Sequence, residues 1–264
     1  MNKKYIGYNP PDFATAYAQF FKNDTPQAQA SALSGLSNSP FPLYALLSFE
    51  NREELANDGY HKIENGYAFE ADGSASVAVL TPMPNVQPKM WDWWFGWHGC
   101  ADNRYKLWHP KAHLSAEWLD GNQQLETYIG RTSVIQERIG IKLEKANIQF
   151  VAPESLRLKN GENTLYICAR LGYTNYPLNF GWLVHQIRST PEGAEMRSRF
   201  WIGGKHISIR KQGAFFGFLS KILQKTYRLP RKQPADLLTH CSEEMSHLAS
   251  FLPEIYKEFK FLLK

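Results

Sequence analysis

The last part of the chain carries an imidazole and a carboxylate that could hold one metal ion together. His240 and Glu244 are four residues apart, a spacing that places both side chains on one face of a helix. Glu244 also falls on an apolar stripe that recurs every three or four residues; its other members are Leu237, Cys241, Leu248, Phe251 and Ile255. A buried carboxylate without a partner costs several kcal/mol. The pattern predicts an inward-facing metal pair, with a solvated His–Glu pair as the simpler alternative.

Two ligands do not complete a zinc site, because zinc takes three or four from nitrogen, oxygen or sulfur. His113 begins a run of alternating polar and apolar residues, 113–118, which is typical of a strand. A strand that faces the helix could direct His113 towards it. Glu137 and Glu144 are both available as carboxylates on a following strand. Their chemistry alone leaves the choice between them open.

Several strands joined by turns must position these side chains. β-Branched and aromatic content predicts strands over Tyr67–Leu80, Ala112–Leu119, Leu125–Ile135, Ala146–Val151, Leu165–Leu171, Phe180–Ile187 and Met196–Ile202. No long helices alternate with these strands, so we expect an antiparallel sheet. Met90–His98 is predicted to be a short, aromatic helix.

The end of the chain is predicted to be one long helix. Pro234 suits its first turn and Pro253 should kink it. A curved antiparallel sheet around a long C-terminal helix resembles the Bet v 1-like helix-grip architecture, an α+β fold with a cavity between sheet and helix. Residues 1–65 are interrupted by prolines and predict a small, mostly helical arm or cap, for instance with a short helix over Asp12–Phe21. Residues 66–264 would then form the helix-grip domain.

The bulk composition excludes several classes of protein. The chain has 264 residues and a formal net charge of +5, which is too mild and too evenly spread to predict nucleic-acid binding. No apolar run is long enough to span a membrane, and the first residues lack a secretory h-region, so we expect a cytoplasmic protein without a membrane partner. The basic stretch Lys205–Lys232 could form an amphipathic helix on a membrane, but a solvated basic face over a packed helix is the preferred interpretation.

Several blocks of sequence, in order, resemble one enzyme family. They are Trp93-Trp-Phe-Gly-Trp-His98, Arg104-Tyr-Lys-Leu-Trp-His-Pro-Lys-Ala-His113, Tyr128-Ile-Gly-Arg-Thr with Glu137-Arg-Ile-Gly, Val184-His185-Gln-Ile-Arg, Glu195-Met-Arg-Ser-Arg-Phe200-Trp-Ile-Gly and His240-Cys-Ser-Glu-Glu244-Met-Ser-His-Leu. Together they resemble the 2,4-diacetylphloroglucinol hydrolase family, from about Tyr67 to about Tyr256. The N-terminal arm shows little of this similarity.

The resemblance implies a zinc ion held by two histidines and two glutamates. By motif these are His113, Glu137, His240 and Glu244, with Glu144 as a rival to Glu137. Tyr105 corresponds to a tyrosine that contacts substrate, and His185 to a histidine expected in the pocket and suited to proton transfer. A second tyrosine of the family falls near Phe200, which has no hydroxyl.

The implied function is zinc-dependent hydrolysis of a carbon–carbon bond next to a ketone, in a small aromatic substrate such as an acylated polyphenol. The family resemblance also implies a possible homodimer. The alternative hypothesis is a helix-grip module that binds a flat hydrophobic ligand without chemistry. That alternative predicts no bound metal and no turnover.

Overall fold

The computed structural model describes residues 8–21, 27–123, 125 and 127–263. Within this part of the chain the strands are β1 Gly66–Phe69, β2 Ala75–Pro84, β3 His113–Trp118, β4 Thr132–Ile139, β5 Lys142–Val151, β6 Thr164–Tyr173, β7 Leu178–Thr190, β8 Gly193–Ile202 and β9 Ser208–Ile209. The α-helices are α1 Ala30–Ser37, α2 Pro88–Trp97, α3 Asp102–Trp108, α4 Ala214–Thr226, α5 Gln233–Ala249 and α6 Leu252–Phe259. The fold is therefore α+β, as predicted.

One antiparallel sheet forms the body of the protein. Its strand order is β1-β2-β8-β7-β6-β5-β4-β3, and the short β9 pairs with β7. The prediction of an antiparallel sheet is confirmed, since every described pair of strands runs antiparallel. The sheet packs its apolar side against α2 and α5, and the core there is rich in tryptophan.

The strand predicted over Leu125–Ile135 begins later than expected. β4 starts at Thr132, after a turn in which Gly130 has a φ of 87°, a conformation that interrupts a strand and favours glycine. Arg131 donates from Nε to both carboxylate oxygens of Asp120, at 3.1 and 3.0 Å, and so fixes this turn. Gln124 and Glu126, near the start of the predicted strand, lie outside the described residues. Glu137 is therefore inside β4 and not beyond it.

The strand that carries His113 contains a β-bulge. The register of β3 against β4 shifts between His113 and Ser115. As a result His113, Ala116 and Trp118 are all buried, whereas Glu117 is exposed. The simple alternation predicted for residues 113–118 is wrong, because the extra residue of a bulge changes which side the following side chains face.

The predicted C-terminal helix is two helices. Pro234 lies in the first turn of α5, as predicted, but α5 ends at Ala249 and α6 begins at Leu252. Pro253 has no N–H to donate to the carbonyl of Ala249, so the helix breaks there where only a kink was expected. Helix α5 contacts β2, β1 and β4 of the sheet, and its residues Leu238, Cys241, Met245 and Leu248 are fully buried.

The described residues of the N-terminal arm lie against both α5 and the sheet. The predicted helix over Asp12–Phe21 is replaced by two 3₁₀ turns, Pro10–Ala14 and Ala18–Phe20. Helix α1 packs against α5 and β1, and the backbone N–H of Gln29 donates to Ser242 Oγ at 3.1 Å. The boundary between arm and domain at residue 65 stays a prediction.

The basic stretch Lys205–Lys232 is not simply a solvated basic face over a packed helix, which was the preferred interpretation. In α4 the apolar residues Phe215 and Phe218 are strongly exposed, so the helix does not pack them beneath a basic face. Among the described residues no helix is both long and apolar enough to cross a membrane.

One buried carboxylate joins the arm to the sheet. Glu64 accepts from Arg197 Nη2 at 2.7 Å and from Arg199 Nη2, and all three side chains are buried. Burial alone would raise the pKa of Glu64, but the two guanidinium groups lower it to about 2. The carboxylate balances part of the positive charge that the two arginines place inside the protein.

We predict that Glu64→Gln lowers the free energy of unfolding by about 3–5 kcal/mol at neutral pH, because it leaves two buried arginines without their counter-charge. The pKa of Glu64 is lowered on folding, so its contribution is present above about pH 4.5 and declines as the pH falls towards about 2. Denaturant titrations at several pH values measure this. The matched control is Glu53→Gln, which breaks an exposed pair with Arg157 and should cost less than about 1 kcal/mol. Equal effects of the two variants would contradict the prediction.

Candidate metal centre

Strands β3 and β4 and helix α5 bring two imidazoles and two carboxylates together. His113 lies directly opposite Glu137 in the β3–β4 register, and His240 and Glu244 lie one turn apart on α5. His113 Nε2 is 3.3 Å from Glu137 Oε2 and 3.3 Å from Glu244 Oε2. His240 Nε2 is 3.5 Å from Glu137 Oε2 and 3.7 Å from Glu244 Oε2. All four predicted residues therefore surround one point, each with a side chain at most 12% exposed.

The chemistry of these donors fits a cation at that point. His113 Nδ1 lies 3.1 Å from the carbonyl oxygen of Tyr105, which can only accept, so Nδ1 carries the proton. In the neutral ring Nε2 then directs a lone pair at the two carboxylate oxygens. The ligand atoms of His113, Glu137 and His240 lie within 4.8 Å of one another. Two nitrogens and two carboxylate oxygens around one buried point match the ligand types of zinc.

When no cation is bound, protons on the histidines must balance the negative charges of Glu137 and Glu244. Burial raises the pKa of Glu137, but its contacts with His113 and His240 outweigh burial and hold the pKa well below its usual value. Burial lowers the pKa of His240, but the charge of Glu244 and the contact with Glu137 raise it to about 9. A metal ion would displace these protons, so its affinity falls as the pH is lowered.

Aromatic neighbours fix the orientation of both imidazoles. The Tyr105 ring stacks on His113 with centroids 3.9 Å apart and planes at 4°, and its hydroxyl donates to Glu137 Oε2 at 2.6 Å. The His109 ring stacks on His240 at 5.0 Å, and His109 Nε2 lies 3.3 Å from a carboxylate oxygen of Glu243. Such contacts hold ligands in place before a metal arrives.

A cavity of about 120 Å³ opens on these side chains. Its walls are mainly apolar and aromatic: Phe95, Trp108, Ile135, Ile148, Phe150, Leu171, Phe180, Leu183, Phe200 and Ile202. The polar groups that reach it include Glu137, His240 and Glu244, then Tyr105 and His185, and also Ser133, Glu144, Lys145, Tyr173 and Gln233. An apolar pocket with a few convergent polar groups is the usual form of a small-molecule site.

His185 lies in the cavity wall, as the sequence predicted. Its Nδ1 is 2.7 Å from Ser198 Oγ, and the Phe200 ring lies across it at 6.0 Å. Burial lowers the pKa of His185 to about 3. The ring is therefore neutral near pH 7, and the ordinary pKa on which its predicted role in proton transfer was based does not apply here.

The structure also distinguishes between the two glutamates that were candidates for the ligand on the sheet. Glu144 lies directly opposite Glu137 in the β4–β5 register and lines the cavity, but the contacts with His113 and His240 are made by Glu137. The pairing of His109 with Glu243 was missed by sequence reasoning. Glu243 is adjacent to Glu244 in the sequence, which gave a weak hint of its role. Only the fold places His109 beside it and stacks the His109 ring on His240.

Comparison with known proteins identifies the family of this chain. The DAPG hydrolase PhiG domain matches residues 46–257, most of the chain. The chain belongs to the DAPG hydrolase family. This membership confirms the family and the enzyme class, a hydrolase, predicted from the sequence.

Named relatives of this DAPG hydrolase family member cover nearly the whole chain. A 2,4-diacetylphloroglucinol hydrolase of Pseudomonas protegens is 29% identical over 272 residues, which is 92% of this chain and 84% of the relative. A phloretin hydrolase of Eubacterium ramulus is 25% identical over 270 residues, which is 97% of this chain and 94% of the relative. Among solved structures, that of Ara h 8.0201 covers 69% of this chain and 99% of its own, at 11% identity and a TM-score of 0.42.

We predict that Zn²⁺ added to chelator-treated protein raises its melting temperature, because an ion that binds only the folded state stabilises it, by ~2.7 kcal/mol at a hundred times Kd. His113→Ala and Glu244→Gln should abolish this stabilisation. Glu144→Gln is the matched control and should retain it. Calorimetry and metal analysis of the same samples measure both effects. Metal binding that survives His113→Ala but is lost in Glu144→Gln would overturn the ligand set.

Proposed function

We propose that this chain is a zinc-dependent hydrolase that cleaves a carbon–carbon bond next to a ketone in an acylated polyphenol or a related β-diketone-like compound. The observation that carries the proposal is the buried group of two imidazoles and Glu137, with Glu244 in contact with both imidazoles, at the wall of a mainly apolar cavity in a member of the DAPG hydrolase family. The named substrates of two relatives, 2,4-diacetylphloroglucinol and phloretin, support the substrate class.

The proposed ligands are His113, Glu137, His240 and Glu244. Mixed nitrogen and carboxylate donors favour zinc over Ca²⁺ or Mg²⁺, which prefer oxygen donors alone. Glu137 is preferred to Glu144 because its Oε2 approaches both imidazoles. When bound, zinc supplies a Lewis acid that polarises a carbonyl oxygen and stabilises the negative charge that develops on it.

The overall reaction adds water across one bond. The water oxygen bonds to the acyl carbon, and the bond from that carbon to the ring carbon breaks. Its electron pair stays on the ring, where hydroxyls ortho and para to the acyl group let the ring accept a proton in a keto form. The products are a carboxylic acid and the deacylated ring, so atoms and charge balance.

Tyr105 is proposed to orient the substrate. Burial raises the pKa of this phenol well above its ordinary value, and the nearby Glu137 raises it further, so the hydroxyl stays protonated. Because its proton is donated to Glu137 at 2.6 Å, its oxygen is free to accept from a phenolic hydroxyl of the substrate.

His185 is proposed to act as a neutral donor in the same cavity. If Ser198 Oγ–H donates to Nδ1 across the 2.7 Å contact, the ring proton lies on Nε2. Nε2–H can then donate a hydrogen bond to a carbonyl or phenolic oxygen of the substrate and stabilise the negative charge that develops there. Phe200 offers no hydrogen bond beside it, so the part of the substrate that lies there should be apolar.

We also propose a helix-grip arrangement with a separate N-terminal arm. Packing of α5 on β1, β2 and β4 with a cavity beside it supports a helix-grip arrangement for residues 66–264, with residues 1–65 as an arm. A homodimer and a cytoplasmic location stay predictions.

The experiment that tests the function combines metal analysis with turnover. Protein purified without chelator should contain about one zinc per chain and release acid from at least one of 2,4-diacetylphloroglucinol, monoacetylphloroglucinol and phloretin. Zinc with turnover of only simple esters would overturn the carbon–carbon assignment. A well-folded protein without metal or turnover that still binds these compounds would favour the non-catalytic alternative, which the apolar walls of the cavity also accommodate.

We predict that His185→Gln lowers kcat by about 10²–10³-fold, the usual range for removing a donor that stabilises developing negative charge. Metal content should not change, because His185 is not a proposed ligand. Since the pKa of His185 is about 3, the pH dependence of kcat/KM between pH 5 and 8 should keep its shape in the residual activity of the variant. A group with a pKa near 6.5 (the ordinary value for histidine) that disappears in His185→Gln would contradict this.

A further inference from the structure

Helix α4 presents an apolar stripe to solvent. Phe215, Phe218 and Ile222 are 66%, 63% and 42% exposed. Their spacing of three and four residues places them on one side of the helix. A cluster of large exposed apolar residues on a surface usually marks a contact site.

The opposite side of α4 is fixed to the protein. Ser220 Oγ accepts the backbone N–H of Ile209 at 2.9 Å, and Gln224 Nε2 donates to the carbonyl of Ile207 at 2.7 Å. The helix is therefore held with its apolar stripe outward, and the exposure of the phenylalanines is a feature of the packed fold.

The segment of sequence that carries this stripe has charge of one sign. From His206 to Ala235 the chain has seven lysines and arginines and no aspartate or glutamate. Lys221 and Lys225 are exposed on α4 itself, close to the stripe in helical position. Elsewhere the charges are mixed, since the whole chain carries only +5. The partner of this surface should combine negative charge with an apolar interior.

We propose that α4 docks this protein on membranes that contain anionic phospholipid, with the helix parallel to the membrane plane. Thirteen residues are too few to span a bilayer, but apolar residues flanked by lysines are typical of helices that lie in the interface. A second copy fits less well, because a two-fold contact through this surface would bring two basic segments together. This surface replaces the solvated basic face expected from the sequence.

The docking surface lies next to one wall of the cavity. Tyr227 directly follows α4, and its hydroxyl is 2.8 Å from that of Tyr173, which lines the cavity. Apolar aromatic compounds partition into membranes, so a helix in the interface would hold the cavity close to its source of ligand. The docking itself does not depend on the proposed hydrolase activity.

The test is flotation of the full-length protein with vesicles. Vesicles of equal parts phosphatidylcholine and phosphatidylglycerol should bind it, whereas vesicles of phosphatidylcholine alone should bind it much less. Lys221→Gln with Lys225→Gln should weaken binding roughly 25-fold, at ~1 kcal/mol for each basic residue near an anionic surface. Phe215→Ser with Phe218→Ser should abolish it at the lipid concentrations that bind the native protein.

The controls are Tyr44→Ser, an aromatic residue that is 83% exposed on the N-terminal arm, and Lys159→Gln, an exposed lysine in the loop before β6. Both should bind as the native protein does. Circular dichroism checks that every variant keeps the native melting curve, which substitutions at exposed positions should allow. Absence of binding to anionic vesicles would overturn the proposal. So would a dimer, seen by sedimentation, that the two serine substitutions dissociate, because a second copy would then be the occupant.

Discussion

Two carboxylates and two imidazoles buried at one point require a cation or shared protons, and the rest of the structure is arranged around that requirement. The carbonyl of Tyr105 accepts from Nδ1 of His113, so in the neutral ring the lone pair is on Nε2, which lies 3.3 Å from an oxygen of Glu137 and 3.3 Å from an oxygen of Glu244. Removing any one of the four groups would leave its partners buried and unbalanced, which costs far more than an exposed pair would. The same electrostatics that make the group costly without a cation favour a cation at this place.

Three elements that are far apart in the chain must meet with the correct faces for this group to exist. The bulge in β3 turns His113 inward, the pairing of β3 with β4 puts Glu137 opposite it, and α5 brings His240 and Glu244 from the other side. Stacked rings from Tyr105 and His109 limit the freedom of both imidazoles. The walls of the cavity beside the group are mainly apolar, and the candidate metal centre and His185 are among the polar groups that reach it.

Charge is used differently in different parts of the molecule. Beneath the arm, Glu64 is buried between Arg197 and Arg199 and joins the arm to the sheet. On α4, exposed lysines flank exposed phenylalanines in a segment of sequence without acidic residues. The first arrangement satisfies its charges inside the protein, whereas the second leaves them available to something outside it.

Much of this could be predicted from the sequence. Local residue content determined most strands, the start of α5 at Pro234 and the presence of an inward carboxylate at Glu244, because strand content, proline geometry and a 3.6-residue period are local properties. Separated motifs also predicted the four side chains that meet at the candidate metal centre. Other features depended on tertiary structure: the bulge at His113, the helix break before Pro253, the choice between Glu137 and Glu144, the neutral state of His185 and the outward face of α4. Each of these depends on which surfaces a residue meets after folding, and the free energy of burial and pairing is determined by contacts between residues distant in the chain.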